Sequence, residues 1–384
     1  MKTLSRFSLI LTLLVSSLCV TPNAWARNEN YLRFINKSDA AQNFYINFYS
    51  SDKWGNHEYT TGARLLAGTG WVSIVTKSNI SIAAGDSIMI RVKDGKTLTA
   101  LNTSSAYNYF NLTAGSWEVK GDLLTLIAVD EPANRAIPAG FGTHTFLYLF
   151  KGSTKLISAE HLKFPDHLNV SCCDQMFSGC TGLITAPQDM SNIVEIPEFG
   201  LNKLFSGCSA MTTPPVYMPS ADSIGSKGMS NMFASCYRLT DLSSMILPAS
   251  KLGPNAYEYM FSTCVSPTSG TASKGLTKAP QIMATSMGDY AMQYMFNKCS
   301  LLTDGPDTLH AITLKKCSYY YMFNGCAAMT YAPVMMATSM PVATTDATGA
   351  MGYMFNCAAT ALKWTTFEYR ATSCFDNNGS YNST

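Results

Sequence analysis

A motif of the form Met/Leu-Phe-x-x-Cys returns at a nearly fixed interval through the second two-thirds of this 384-residue chain. Nothing else in the sequence restricts the fold as much. The phenylalanines of the copies are Phe150, Phe177, Phe205, Phe233, Phe261, Phe296, Phe323 and Phe355, separated by 27, 28, 28, 28, 35, 27 and 32 residues. A period of about 20 to 50 residues marks a stacked array, in which each unit buries its apolar face against the next.

Placed in register, the copies share more than the Phe. Five residues before it stands a small or thin side chain: Thr145, Cys172, Gly200, Gly228, Ala256, Ala291, Ser318 or Ala350. Leu or Met precedes it directly, and Cys180, Cys208, Cys236, Cys264, Cys299 or Cys326 follows three residues later. Counted from the small residue these are positions 0, 4, 5 and 8, which at 100° per residue fall within an arc about 140° wide. That spacing predicts an amphipathic helix turned toward a core.

Past the Cys the texture changes. Leu183-Ile184-Thr185-Ala186-Pro187, Leu276-Thr277-Lys278-Ala279-Pro280, Leu302-Thr303-Asp304-Gly305-Pro306 and Met329-Thr330-Tyr331-Ala332-Pro333 align with one another. A proline this close permits only a short extended segment. Helix, turn and short strand within about 28 residues is the unit of a leucine-rich repeat. Tyr-x-Met-Phe-x-x-Cys-x-x-Leu-Thr-x-Ala-Pro, present at Tyr294 to Pro306 and Tyr321 to Pro333, resembles the BspA-like leucine-rich repeats of Bacteroides-type surface proteins. The resemblance covers roughly residues 119 to 370. It implies an α/β solenoid, a leucine-rich-repeat array of about eight repeats. Two copies depart from the pattern, Ser153 standing for Cys in the first and Cys357 falling one residue early in the last. Atypical end repeats cap such arrays.

The start of the chain reads differently. Lys2 and Arg6 precede an apolar run from Leu9 to Val20, and Ala24-Trp25-Ala26 forms a cleavage site, so residues 1–26 read as a secretory signal peptide. A lipid anchor at Cys19 is the less favoured processing, because Leu18 stands where a small residue belongs. No second long apolar segment follows, so no transmembrane segment is expected. Cleavage removes two of 27 Lys and Arg and none of 25 Asp and Glu, leaving 25 of each. With no net charge and no basic stripe, nucleic acid is not an expected partner. Residues 27–118 hold no cysteine and alternate apolar with polar side chains at Tyr31 to Ile35, Phe44 to Tyr49, Trp71 to Val75 and Ile88 to Val92. They are expected to form a small all-β sandwich domain, with Asp94-Gly95 as a hairpin turn. A leucine-rich-repeat domain over 119–375 and a flexible polar tail over 376–384 complete the organisation; Gly121 to Ile127 is read as its opening strand and Pro132 to Gly142 as a loop into the first helix.

Eleven cysteines remain after cleavage, and six share one repeat position. Stacked strands would hold those six about 4.8 Å apart, against about 3.5–4.5 Å between the Cβ atoms of a disulfide. A buried ladder of free thiols acting as small hydrophobes is therefore expected, with bridging left open for Cys172, Cys173, Cys317 and Cys374. Catalytic and metal constellations are weak. His167, Cys172, Cys173 and Cys180 fit no zinc spacing. The five histidines are scattered, and most belong on the surface or at caps. Gly95-Lys96-Thr97 lacks the first glycine of a phosphate loop, because Ile90 occupies its place. No enzyme activity, cofactor or metal is expected.

What remains is surface. Thr185, Lys278, Gln281, Asp304 and Tyr331 lie between inward residues of the strand segments and are the candidate ligand-binding residues. The expectation is an exported, non-enzymatic binding protein at the cell surface, outside the cell or in the periplasm, and the resemblance implies adhesion, with protein ligands held along the repeat face. The alternative is a carbohydrate-binding accessory protein, with Trp54, Trp71, Tyr107, Tyr109 and Trp117 of the N-terminal module stacking on glycans. In the fifth repeat fifteen residues separate Phe261 from Leu276, where most copies have six. The stretch Val265 to Gly275 is rich in Pro, Gly, Ser and Thr and is expected to leave the stack as a loop, either neutral or a rim to a patch with Lys278 and Tyr331.

Overall fold

The computed structural model describes residues 30–47, 57–61, 70–74, 79–93, 107–128, 132–138, 141–266, 274–339, 349–356 and 363–364. The leader, Trp54, the Asp94-Gly95 turn, Cys357, Cys374 and the tail lie outside them. Eight strands come first: β1 Leu32–Asn36, β2 Gln42–Asn47, β3 His57–Thr61, β4 Val72–Ser73, β5 Asn79–Ile82, β6 Ser87–Val92, β7 Tyr109–Asn111 and β8 Trp117–Asp122. They make two antiparallel sheets, ordered β8-β1-β6-β3-β4 and β5-β2-β7. Alternation turns Leu32 and Phe34 of β1 inward. The Phe34 ring packs 4.7 Å from Phe44 of the other sheet and 4.7 Å from Phe110. Buried polar groups are tied to the backbone: the Asn36 amide donates to Ala40 O, Ile82 O and Ala83 O. His57, which belongs to the core and not to the surface, lies 2.6 Å from Leu126 O through Nε2.

β8 leads directly into the repeats. It pairs in parallel with β9 Leu156–Ser158 and β10 Leu162–Lys163. A side chain at Gly121 would collide with Tyr31 O, and its φ of 99° is open only to glycine. The strand stops at Asp122, whose carboxylate accepts the Leu124 N–H at 2.9 Å and caps a 3₁₀ turn over Leu123–Leu126. The opening strand read from sequence over Gly121 to Ile127 is thus mostly this turn. The Pro132 to Gly142 segment includes a second one at Ala133–Arg135.

The helices expected ahead of each Cys are absent from the described residues. In their place runs a ladder of β-turns. Ser171, Gln175 and Gly179 have φ of 55°, 54° and 73°, and Phe199, Lys203 and Gly207 repeat the pattern one coil later. Between them every second N–H closes a turn, as Met176 N to Cys173 O at 3.2 Å and Ser178 N to Gln175 O at 3.1 Å. The intervening N–H groups donate to the next coil: Cys173 to Gly200 O at 2.9 Å, Gln175 to Asn202 O at 2.8 Å, Phe177 to Leu204 O at 2.9 Å. Two residues point in, two point out, and the period is four. Positions 0, 4 and 8 then share one inward corner with position 5 beside it. A helix of period 3.6 gives nearly the same sequence pattern, which is why the spacing alone misassigns this segment. The left-handed residues cost about 1–2 kcal/mol each, offset by hydrogen bonds that join every coil to the next.

The remainder of each coil contributes short parallel strands in three columns. The first runs Ser158–Thr185–Thr213 and Asp241–Lys278–Asp304 through single bridges, then β17 Tyr331–Ala332 paired with β19 Lys363–Trp364. The second contains the Asp189–Tyr217 bridge and β12 Ile246–Leu247, β14 Gln281–Ile282, β16 Thr308–Leu309 and β18 Val334–Met335. The third includes β11 Ser223–Ile224, β13 Lys251–Leu252 and β15 Ser286–Met287. Inside them the phenylalanines form one column. Phe205 to Phe233 is 5.5 Å, Phe233 to Phe261 5.3 Å and Phe261 to Phe296 5.5 Å, ring on ring. The column continues to Phe355 and begins one ring earlier than the repeat motif, at Phe110 of β7, 5.8 Å from Phe150.

Candidate functional site

The repeat positions settle the chemistry of the interior before any surface is considered. Nine cysteines are described, all of them buried and none in a disulfide. Those of the repeat position do more than fill space. Cys180 Sγ lies 3.0 Å from Phe150 O, Cys208 and Cys236 3.2 Å from Phe177 O and Phe205 O, and Cys264 and Cys299 3.0 Å from Phe233 O and Phe261 O. Each thiol donates to the phenylalanine carbonyl of the preceding coil. Ser153, in the first copy, donates through its hydroxyl to Phe110 O at 2.8 Å and so performs the same contact. Burial pushes the Cys180 and Cys236 thiols up to about 12. As protonated donors shut off from solvent they are poor nucleophiles and poor metal ligands. Cys172 and Cys173 have sulfurs 3.6 Å apart and are unbridged, as is Cys317. Among the described residues no group of three His, Cys, Asp or Glu is placed to hold a metal ion.

The outer faces differ from one another. On the turn ladder, Tyr259, Tyr294, Tyr321 and Tyr353 stack with centroids 4.7, 5.1 and 4.9 Å apart. Beside them Asn324 donates to Asn297 Oδ1 at 2.6 Å and Asn356 to Asn324 Oδ1 at 2.9 Å. The three coils before Tyr259 carry Gln175, Lys203 and Asn231 in this position, and the first coil carries Tyr148. The ring faces of this stack are occupied by one another, which makes it a clasp between coils.

On the strand columns the structure places four of the five candidate residues in one series. Thr185, Lys278, Asp304 and Tyr331 all occupy the first column, and Gln281 sits in the second. Asp304 and Tyr331 are exposed; Thr185, Lys278 and Gln281 are half-buried. Lys278 Nζ reaches Asp241 Oδ2 of the preceding coil at 3.1 Å. Asp241 also accepts from Ser243, hydroxyl and N–H, and these bonds with Lys278 hold its carboxyl down at about 2. Gln281 donates to Asp307 Oδ2 at 3.1 Å. A threonine row beside this column is structural: Thr277 Oγ1 donates to Thr240 O at 3.1 Å and Thr303 Oγ1 to Thr277 O at 3.0 Å.

Sequence reasoning missed the apolar members of these columns. Val216, Tyr217, Ile246, Met283 and Met336 are between 41% and 61% exposed. Their signal was present, as large apolar residues at positions the repeat sets outward, but it is legible only once the second strand column is known. The described aromatic residues proposed for glycan stacking are engaged elsewhere. Trp117 is fully buried against Phe44, Trp71 packs on Tyr31 and under Arg91, and Tyr107 meets Tyr148 edge-on at 4.6 Å. The insertion in the fifth repeat closes at its base: Val265 bridges Gly275 antiparallel, and Ser266 N donates to Lys274 O at 2.7 Å.

No helix among the described residues is long and apolar enough to cross a membrane. No protein-family model and no curated protein matches the chain. Among solved structures, a leucine-rich cell surface protein from Faecalibacterium prausnitzii A2-165 is similar at 12% identity, over 75% of this chain and 99% of that one, with a TM-score of 0.19. A likeness that slight carries no functional inference.

Proposed function

We propose that this chain is an exported, non-enzymatic binding protein, built as a leucine-rich-repeat solenoid of BspA-like type behind an N-terminal β-sandwich, and that it acts in adhesion at the cell surface by holding protein partners along its strand columns. The observation that carries this reading is the series Thr185, Lys278, Asp304 and Tyr331, which share the first strand column, the last three on consecutive coils. A repeating, broad surface suits many distributed contacts and a large partner. The burial and high pKa of the thiols, and the engagement of Trp71 and Trp117 in packing, favour this over a catalytic or glycan-stacking role. The test is binding of the full chain to protein and glycan arrays, repeated with Thr185→Ala, Asp304→Ala and Tyr331→Ala combined. Protein ligands lost in the triple variant support the reading. Glycan ligands retained by it, with no protein ligand, overturn it in favour of the N-terminal module.

A further inference from the structure

The first and second strand columns, three to five residues apart in the described coils, carry an excess of carboxylates. The described side chains they set outward include Glu160, Asp189, Asp241, Asp304 and Asp307, against the single ammonium of Lys278. Lys278 is already spent on Asp241. Asp189, Asp304 and Asp307 have no Lys or Arg partner among the described residues; they accept only from the neutral groups of Ser191, Thr303 and Gln281. The turn ladder mixes the two signs, with Lys151, Lys203, Lys227 and Lys298 alongside Asp174 and Glu258. Interleaved with the carboxylates are Val216 at 58% exposure, Ile246 at 54% and Met336 at 50%. An exposed aliphatic row of this kind marks an interaction surface, and the unbalanced carboxylates state the charge of what covers it.

We infer that these columns take a basic polypeptide segment in which Lys or Arg side chains alternate with apolar ones. The proposal rests on the reading of the chain as a protein-binding molecule and adds the chemistry of the partner. The carboxylates repel nucleic acid and anionic lipid headgroups alike. A basic, apolar segment gains on both counts: its cations meet Asp189, Asp304 and Asp307 near the surface, and its apolar groups cover Val216, Ile246, Met283 and Met336.

The test uses the full chain and three short labelled peptides, one alternating Lys with Leu, one Glu with Leu, and one Lys with Ser, read by fluorescence anisotropy at low and high salt. The Lys/Leu peptide is expected to bind about tenfold or more tighter than either of the others. Asp189→Asn, Asp304→Asn and Asp307→Asn combined should remove most of that preference and its salt dependence. Val216→Ser, Ile246→Ser and Met283→Ser combined should weaken binding at both salt concentrations. Far-ultraviolet circular dichroism and melting temperature establish that both variants fold, and Lys203→Gln with Lys298→Gln on the turn ladder should leave binding unchanged. Equal affinity for the three peptides, or equal binding by wild type and both variants, overturns the inference. Self-association of the wild type that both variants abolish would identify a second copy as the occupant and equally overturn it. Array ligands that bind all variants alike would leave the chain a binding protein while removing this surface from the account.

Discussion

At the scale of single residues, the cysteine of each repeat acts as a hydrogen-bond donor as well as a space filler. Cys236 Sγ sits 3.2 Å from Phe205 O, and the first coil makes the same contact with a serine hydroxyl. Replacing Cys236 by Ser keeps a donor of similar size, whereas Ala removes both the donor and the volume. Cys236→Ala is expected to cost about 1–3 kcal/mol and Cys236→Ser clearly less; urea melts of the two variants decide it, and equal losses would mean the contact is only steric. Asp174, on the outer side of the turn ladder, responds to pH in a defined direction. Burial raises its carboxyl, although Asn202 donates to it at 2.9 Å. A carboxyl raised in the fold favours the folded state most when protonated, and that contribution disappears as pH climbs through the folded value. Asp174→Asn should therefore raise the melting temperature at pH 7 and give no gain below the ordinary carboxylate value of about 3.9. A gain of the same size at both pH values would assign the effect to packing.

At the scale of elements, the insertion between Phe261 and Leu276 is a separable piece. Its stem closes through Val265 and Gly275, and the rings on either side of it, Phe261 and Phe296, remain 5.5 Å apart as elsewhere in the column. Replacing residues 266–274 with a two-residue turn should leave the melting temperature within about 2 °C of wild type, since loop length contributes only about 0.6 kcal/mol per doubling. Array binding measured on the same variant separates a neutral insertion from a recognition element: lost binding at unchanged stability supports the second, and unchanged binding ends it. The repeat itself was legible in the sequence, because period, Phe column and inward Met, Leu and Cys all follow from spacing. The local conformation was not. Left-handed turns filled by Lys203, Tyr259 and Thr263 carry no glycine signal, and their period of four imitates a helix. Phe110 was equally hidden, having neither a Met before it nor a Cys after it. For the candidate site, four positions of the first column were named because they lie between inward residues of the strand segment; the aliphatic row of the second column lacked such a marker.

At the scale of the whole molecule, the column from Phe110 to Phe355 makes the core continuous from the first sheets to the last described coil, and beyond Phe150 the rings stack each on the one before and the one after. A stack of this type has a stability that is close to a sum of coil terms and interface terms, so damage at its centre should stay near the centre. Phe233 is fully buried between Phe205 at 5.5 Å and Phe261 at 5.3 Å. Phe233→Ala is expected to cost about 3–5 kcal/mol. Phe199→Ala is the control of the same chemistry, because Phe199 lies on the outer side of the turn ladder, half-buried under Lys227; its loss should be below about 1 kcal/mol. Hydrogen exchange then locates the damage. Phe205 N bonds to Met232 O and Phe233 N to Met260 O, so amides of residues 199–208, 227–236 and 255–264 should lose the most protection. Those of β1, β6 and β8, far down the stack, should keep theirs. A loss below about 1 kcal/mol at Phe233 would mean the ring is not part of a packed column. A uniform loss of protection reaching the N-terminal sheets would mean that the chain unfolds as one cooperative body and not coil by coil.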